Sequence, residues 1–283
     1  MSQAPPSFDL VVATVGRTDE LARFLDSVAA QEYAAVRVIV VDQNEDARLD
    51  PVVSGRPFRM ERIRGPLGLS RARNAGLALA EADLVAFPDD DCIYPPGLLA
   101  RVAESLDPDS GLAGLTGRAV DPSGASSASW EDEGALLTDD NLWNRAISFT
   151  IFLRRGVVET VGSFDEELGL GSGTTWSSGE EMDYLIRAVR AGASIEYDPS
   201  LVVTHDVRAD DARIGARDGA SIGYLLRKHD YPLRVVLRML LRPLGGAFVS
   251  LLRFDGGRSS YYVATFRGRV RGYRGAKRSN SSA

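Results

Sequence analysis

A short apolar run that ends in three consecutive carboxylates constrains this chain more than any other stretch. Asp83-Leu84-Val85-Ala86-Phe87 leads through Pro88 into Asp89-Asp90-Asp91-Cys92. The run has the β-branched and aromatic content of a buried strand, bounded by polar and proline signals. Three anions crowded at a strand's end repel one another and cost stability unless a cation sits among them. In an α/β sheet the carboxyl ends of the strands are where ligands bind. Hard oxygen ligands suit Mg2+ or Mn2+, above all where phosphates complete the shell. The alternative is a solvated acidic turn, because Asp is a common turn residue.

The pattern around this run is an alternation. Strands are expected at 8–13, 36–41, 58–63, 83–87 and 112–117, and helices at 18–30, 68–80 and 96–105. Such an order argues for a mostly parallel sheet with helices on both faces. The stretch 121–141, rich in Ser, Gly and acids, reads as a long loop. Strand character resumes at 149–153, a short helix follows at 154–161, and the glycine-rich 169–175 reads as a loop. A helix at 180–191 ends at Gly192, a C-cap signal. Strands at 194–197 and 201–204 bring the chain to His205.

Five segments in this order resemble a known family. They are Val11-Val12-Ala13-Thr14-Val15-Gly16-Arg17, then Val38-Ile39-Val40-Val41-Asp42, then Ala72-Arg73-Asn74-Ala75-Gly76, then Phe87-Pro88-Asp89-Asp90-Asp91, and last Gly179-Glu180-Glu181-Met182-Asp183 with Arg187. Each is weak alone; together they resemble the inverting glycosyltransferases of family 2, which have the GT-A fold. The resemblance covers about residues 8 to 205. It implies a Rossmann-like, mostly parallel sheet flanked by helices, with a C-terminal helical appendage. It implies a GT-A domain at 8–210, with a nucleotide-sugar half at 8–118 and an acceptor and catalytic half at 119–210. A basic amphipathic helical tail at 211–278 and disordered ends at 1–7 and 279–283 complete the expected organisation.

What the resemblance implies for the site is transfer of a sugar, with inversion, from a nucleotide-diphospho-sugar to a hydroxyl acceptor. Asp91 matches the family's metal-binding Asp. Asp89 holds the ribose or reaches the metal through water, and Asp90 orients the others or faces the sugar. His205 is a further metal ligand; imidazole tolerates Mn2+ better than Mg2+. Thr14 and Asp42 match residues that contact the base and ribose, Arg17 belongs to the same donor-binding loop, and Arg73 faces the diphosphate. The general base falls on Glu181, where the family carries Asp; Glu180 and Asp183 are rivals, and all three acids also suit the start of a helix. Trp143 and Trp176 fall in regions that border the acceptor, with core packing as the alternative. A non-catalytic nucleotide-sugar binding protein could keep Asp42 and Asp89 without Glu181 or His205. A nucleotidyltransferase would want a Gly-rich basic loop, which Thr14-Val15-Gly16-Arg17-Thr18 does not supply.

Composition sets the remaining bounds. With 283 residues and 44% hydrophobic content the chain can bury one large core or a core with an appendage. The net charge of −6 gives no global pointer to nucleic acid. One cysteine, Cys92, excludes an intrachain disulfide and a Cys-based zinc site. The N-terminus lacks a positive region followed by an apolar core, so a cytoplasmic protein is expected. Charge is uneven: from Tyr231 onward Asp255 is the only acid among many arginines. Leu233 to Leu241 is apolar apart from Arg234 and Arg238, and Arg242 continues their four-residue spacing. Pro243, Gly245 and Gly246 are expected to interrupt this helix before a second apolar run, 247–252. Neither run then reaches the ~20 residues of a spanning helix. The arginine-edged face suits peripheral contact with an anionic membrane, as in a glycan or lipid-linked acceptor pathway; packing on the catalytic domain is the alternative.

Overall fold

The computed structural model describes residues 4–126, 130–206 and 211–276. Chain order runs β1 (Phe8–Thr14), α1 (Asp19–Ala29), β2 (Val36–Asp42), α2 (Asp50–Val53), β3 (Arg59–Arg64), α3 (Leu69–Leu77), β4 (Leu84–Ala86), β5 (Cys92–Ile93), α4 (Leu98–Ser105), β6 (Gly114–Val120), β7 (Ala135–Leu136), β8 (Phe152–Arg154), α5 (Arg155–Val161), α6 (Glu180–Arg190), β9 (Ile195–His205), α7 (Ala212–Lys228), α8 (Leu233–Leu252) and α9 (Gly256–Gly275). These elements form two compact units: residues 1–164 with 184–207, and residues 165–183 with 208–283.

The first unit is built on a mixed, mostly parallel sheet in the order β3-β2-β1-β4-β8-β6-β9-β5, with β7 added against β9. β3, β2, β1 and β4 run parallel, and β6 and β9 run parallel to each other. β8 is antiparallel to both β4 and β6. Helix-covered parallel strands are buried on both faces, which is why β4 and residues 38–41 of β2 read as continuous apolar runs. Phe8, Leu10, Val12, Val38, Val40, Leu84 and Phe152 join Phe24 and Leu25 of α1 in the core.

Three local expectations change. The two strands expected at 194–197 and 201–204 are one strand, β9. Its pairing to β6 skips from Tyr197 to Val202, so Pro199 lies where no ladder N–H is needed. The strand expected at 149–153 begins only at Phe152, because Ser148–Thr150 forms a 3-10 turn. The loop at 121–141 holds the short strand β7, antiparallel to β9.

The second unit carries α7, α8 and α9. Gly219 and Gly223 of α7 meet the Thr265 and Arg269 carbonyls of α9, and Gly268 and Gly272 of α9 meet the Ala216 and Ala220 carbonyls of α7. A Cβ at any of these four positions would lie well inside van der Waals contact, so the two backbones approach as only glycine allows. The expected break at Pro243 does not occur: α8 is one helix of 20 residues with Pro243 inside it. Proline lacks the N–H that would bond the carbonyl four residues back, Met239 O. The guanidinium of Arg269, on α9, donates to that carbonyl instead. Unbroken, α8 is long and apolar enough to cross a membrane by length and composition, contrary to the expectation from two separate runs. The tail residues expected to be disordered, 279–283, and Met1 to Gln3 lie outside the described residues. Ser7 is tied down: its N–H and hydroxyl both donate to Asp83.

Candidate active site

Three neighbouring parallel strands, β2, β1 and β4, end along one edge of the sheet. Thr14 and Asp42 pair in register at the ends of β1 and β2. The acidic triplet follows β4 on the other side of β1. After the triplet the chain turns into β5, where Cys92 pairs with His205 at the end of β9. This pairing is what brings a histidine 114 positions away in sequence beside Asp91.

Asp89, Asp91 and His205 offer ligand atoms that all lie within 4.8 Å of one another. His205 Nε2 is buried and lies 3.0 Å from Asp91 Oδ1. Its ring stacks flat on Phe149, with centroids 4.7 Å apart and planes 4° apart. Nδ1 lies 2.8 Å from the Asp206 carbonyl oxygen, which favours a protonated Nδ1 and points Nε2 toward the carboxylates. A buried imidazole nitrogen beside two carboxylates fits a divalent cation, and the mixed nitrogen–oxygen set fits Mn2+ better than Mg2+.

Fixed cations surround this cluster. Arg17 Nη1 donates to Asp90 Oδ1 at 2.8 Å and to Asp91 Oδ2 at 2.5 Å. Arg73 Nη2 donates to Asp89 Oδ1 at 2.9 Å, and the Ser148 hydroxyl donates to the same oxygen at 3.3 Å. The three acids feel different balances. Burial pushes Asp90 up to about 6, against the pull of Thr14 and Arg17. Burial also raises Asp91, but His205 and Arg17 outweigh it and hold the group at about 2. For His205, burial lowers the pKa, and Asp91 and Asp89 together more than reverse this.

Asp42 is held tightly. Its Oδ1 accepts from the N–H and side-chain amide of Asn44, and Oδ2 accepts from Arg62 at 2.6 Å and Arg64 at 2.9 Å. The carboxylate is fully buried, so direct donor contact requires one of these arginines to give way. Thr14, also buried, directs its hydroxyl to the Arg17 carbonyl at 3.4 Å.

Glu180, Glu181 and Asp183 open α6 in the second unit. Glu180 is buried and Glu181 half-buried. Asp183 is fully buried, with Lys228 Nζ at 2.6 Å and His229 Nε2 at 2.8 Å from Oδ1. Held by the Lys228 ammonium and the His229 ring, Asp183 suits a structural anion more than a base that must gain and lose protons. Trp176 stacks on Tyr224, with centroids 4.7 Å apart, and is packed inside its own unit. Trp143 lies half-buried in the 3-10 turn Leu142–Asn144 of the first unit.

Sequence reasoning missed Ser148, Phe149, Asn44, Arg62 and Arg64. Ser148 and Phe149 belong to a 3-10 turn that overlaps the start of the expected strand 149–153, and no local signal ties them to the triplet. Arg62 and Arg64 alternate along β3 on one face of an edge strand, which reads as ordinary solvated charge.

The parallel sheet, its switch of direction at β4 and β8, and an acidic cluster at its carboxyl edge define the GT-A fold. The chain belongs to glycosyl transferase family 2, whose model matches residues 9–156. Among solved structures, a mannosyltransferase of Pyrobaculum calidifontis in complex with GDP-Man and Mn2+ superposes with a TM-score of 0.68 at 14% identity, covering 94% of this chain and 87% of that one. TarS of S. aureus, residues 1–349 in complex with UDP-GlcNAc, gives 0.56 at 16% identity, covering 92% and 90%. In sequence, the pre-mycofactocin glycosyltransferase of Mycobacterium tuberculosis is 31% identical over 189 residues, 61% of this chain and 38% of that protein. The succinoglycan biosynthesis protein ExoO of Rhizobium meliloti is 33% identical over 108 residues, 36% of this chain and 30% of that protein. The matches therefore span about a third of the length of these two relatives.

Proposed function

We propose that this protein is a metal-dependent, inverting glycosyltransferase that moves a sugar from a nucleotide-diphospho-sugar to a hydroxyl group of a glycan acceptor. The observation that carries the reading is the convergence of Asp89, Asp91 and His205 within 4.8 Å at the carboxyl edge of the sheet. The Mn2+ and nucleotide sugars bound by its structural neighbours, and the glycan assembly named for ExoO, support it.

In this reading Asp91, Asp89 and His205 hold the divalent cation, which supplies Lewis-acid neutralisation of the diphosphate leaving group. Arg73 and Arg17 are cations fixed by Asp89, Asp90 and Asp91, and they are suited to bind the diphosphate by charge-assisted hydrogen bonds. The region of Thr14, Asp42 and Asn44 receives the nucleoside. Glu181 takes the proton of the acceptor hydroxyl as it attacks. A single displacement of this kind inverts the anomeric centre. The acceptor class is a growing cell-surface or exopolysaccharide chain, with the donor drawn from the cytoplasm.

The test is binding and turnover of a panel of UDP-, GDP- and dTDP-sugars with Mn2+ or Mg2+. The expected result is metal-dependent binding of one donor, lost in Asp91→Ala and kept in Glu181→Gln, with turnover lost in both. Donor binding by the wild type with no transfer or hydrolysis would instead identify a nucleotide-sugar binding protein. No donor binding with any metal overturns the reading.

A further inference from the structure

α8 has one face against α9 and another that nothing among the described residues covers. Val235, Met239, Pro243 and Ala247 are buried, and the Met239 and Ala247 carbonyls accept from Arg269 and Ser259 of α9. On the other side Leu233, Leu237, Leu241, Leu244, Phe248 and Leu251 recur at spacings of three and four, which places them in one stripe. Each is between 40% and 68% exposed. Phe254, 97% exposed, ends the stripe at the turn into α9. Isolated exposed leucines are ordinary; a continuous apolar stripe along a whole helix is an interaction surface.

Charge selects the occupant. Arg234, Arg238 and Arg242 run along one edge of the stripe, and all three are exposed. α8 carries no acid. The one acid after Tyr231, Asp255, accepts from the Arg258 N–H as the N-cap of α9. A second copy of this chain would bring the same arginine edge onto itself across a two-fold interface, with no acids to answer it. Crossing the bilayer would place Arg238 and Arg242 toward the middle of the hydrocarbon, with α9 still attached to the other face. A helix with leucines on one face and an arginine edge matches the surface of an anionic bilayer.

We propose that α8 lies in the headgroup layer of an anionic membrane, its leucine stripe in the acyl boundary and Arg234, Arg238 and Arg242 against lipid phosphates. This surface is independent of the donor chemistry, since it needs neither nucleotide sugar nor metal.

The test is flotation of the full chain with vesicles of pure phosphatidylcholine and with equimolar phosphatidylcholine and phosphatidylglycerol. The wild type is expected to float with the mixed vesicles, to stay behind with the neutral ones, and to be released by high salt. Arg234→Gln, Arg238→Gln and Arg242→Gln together are expected to lower partitioning about a hundredfold. Leu237→Asp with Phe248→Asp is expected to abolish it. All five side chains are exposed, so circular dichroism of these variants should match the wild type. Absence of flotation with mixed vesicles, or equal flotation with neutral ones, overturns the proposal. So does a concentration-dependent dimer that Leu237→Asp dissolves, which would assign the stripe to a second copy. Resistance of the bound protein to carbonate extraction would mean that α8 spans the bilayer. Nucleotide-sugar binding by the same variants reports separately on the transferase reading.

Discussion

Asp9 and Arg37 face each other across β1 and β2, and both are buried. Arg37 Nε and Nη2 meet the two carboxylate oxygens at 2.6 and 2.7 Å, and the N–H groups of Glu81 and Ala82 donate to Asp9 Oδ2. Burial raises the Asp9 pKa, but Arg37 and the two backbone donors outweigh it and bring the group below its usual 3.8. A depressed folded pKa means that the pair's stabilisation is fully present above the unfolded value. It is lost as pH falls through the folded value, below about pH 4. Asp9→Ala leaves a buried guanidinium without its main partner and should cost about 3 kcal/mol at pH 7. Urea unfolding at pH 7 and pH 3 checks both points: the gap between wild type and variant should narrow at the lower pH. At the candidate metal centre, His205→Ala removes the one nitrogen ligand. Manganese affinity, read by the paramagnetic signal of free Mn2+, should fall at least about tenfold while the fold is kept.

At the scale of elements, α3 shows why Arg73-Asn74-Ala75-Gly76 stand in that order. Arg73 reaches Asp89. Asn74 clamps the backbone of Phe164, accepting from its N–H at 2.7 Å and donating to its carbonyl at 3.0 Å. Gly76 lies against Val11 and Val41, where a Cβ would clash. Asn74→Ala strips two bonds from the Phe164 backbone and should cost about 1–3 kcal/mol. In donor assays it should move turnover less than Arg73→Ala does. The helical unit has a comparable device at Arg269. Burial, with the Arg242 charge nearby, lowers its pKa to about 10, yet it still completes the bond that Pro243 leaves open. Arg269→Met removes that donor and should destabilise α8 by about 1–3 kcal/mol. Hydrogen exchange should rise in the turns around Met239 and Pro243 and stay unchanged in the sheet.

For the molecule as a whole, a ligand that binds only the folded sheet unit stabilises it by mass action. Donor nucleotide with Mn2+ at a hundredfold excess over its dissociation constant adds about 2.7 kcal/mol. For a chain of this size that is a rise of several degrees in Tm. Asp91→Ala should abolish the rise, and either component alone should give less of it; equal shifts in wild type and Asp91→Ala would separate nucleotide binding from the acidic cluster. The same chain combines a net charge of −6 with a C-terminal segment whose only acid is Asp255. The excess of acids therefore lies before Tyr231, and the basic excess lies in the segment that carries α8.

The sequence by itself determined the alternation of strands and helices, the acidic triplet at a strand's end and the family of the chain. These rest on short-range information: apolar periodicity, turn chemistry and a motif order that survives without coordinates. It also pointed to Asp89, Asp91 and His205, because the motifs that resemble the family fall at the ends of legible strands. Only the tertiary structure decided that Cys92 pairs with His205 and so carries the imidazole to Asp91, since strand pairing across 113 residues leaves no local mark. The same is true of Phe149 beneath His205 and of the side chains that hold Asp42 and Asp183. The misreading of α8 has one cause. Proline breaks a helix unless a distant donor takes the freed carbonyl, and Arg269 lies 30 residues from Met239 on another helix.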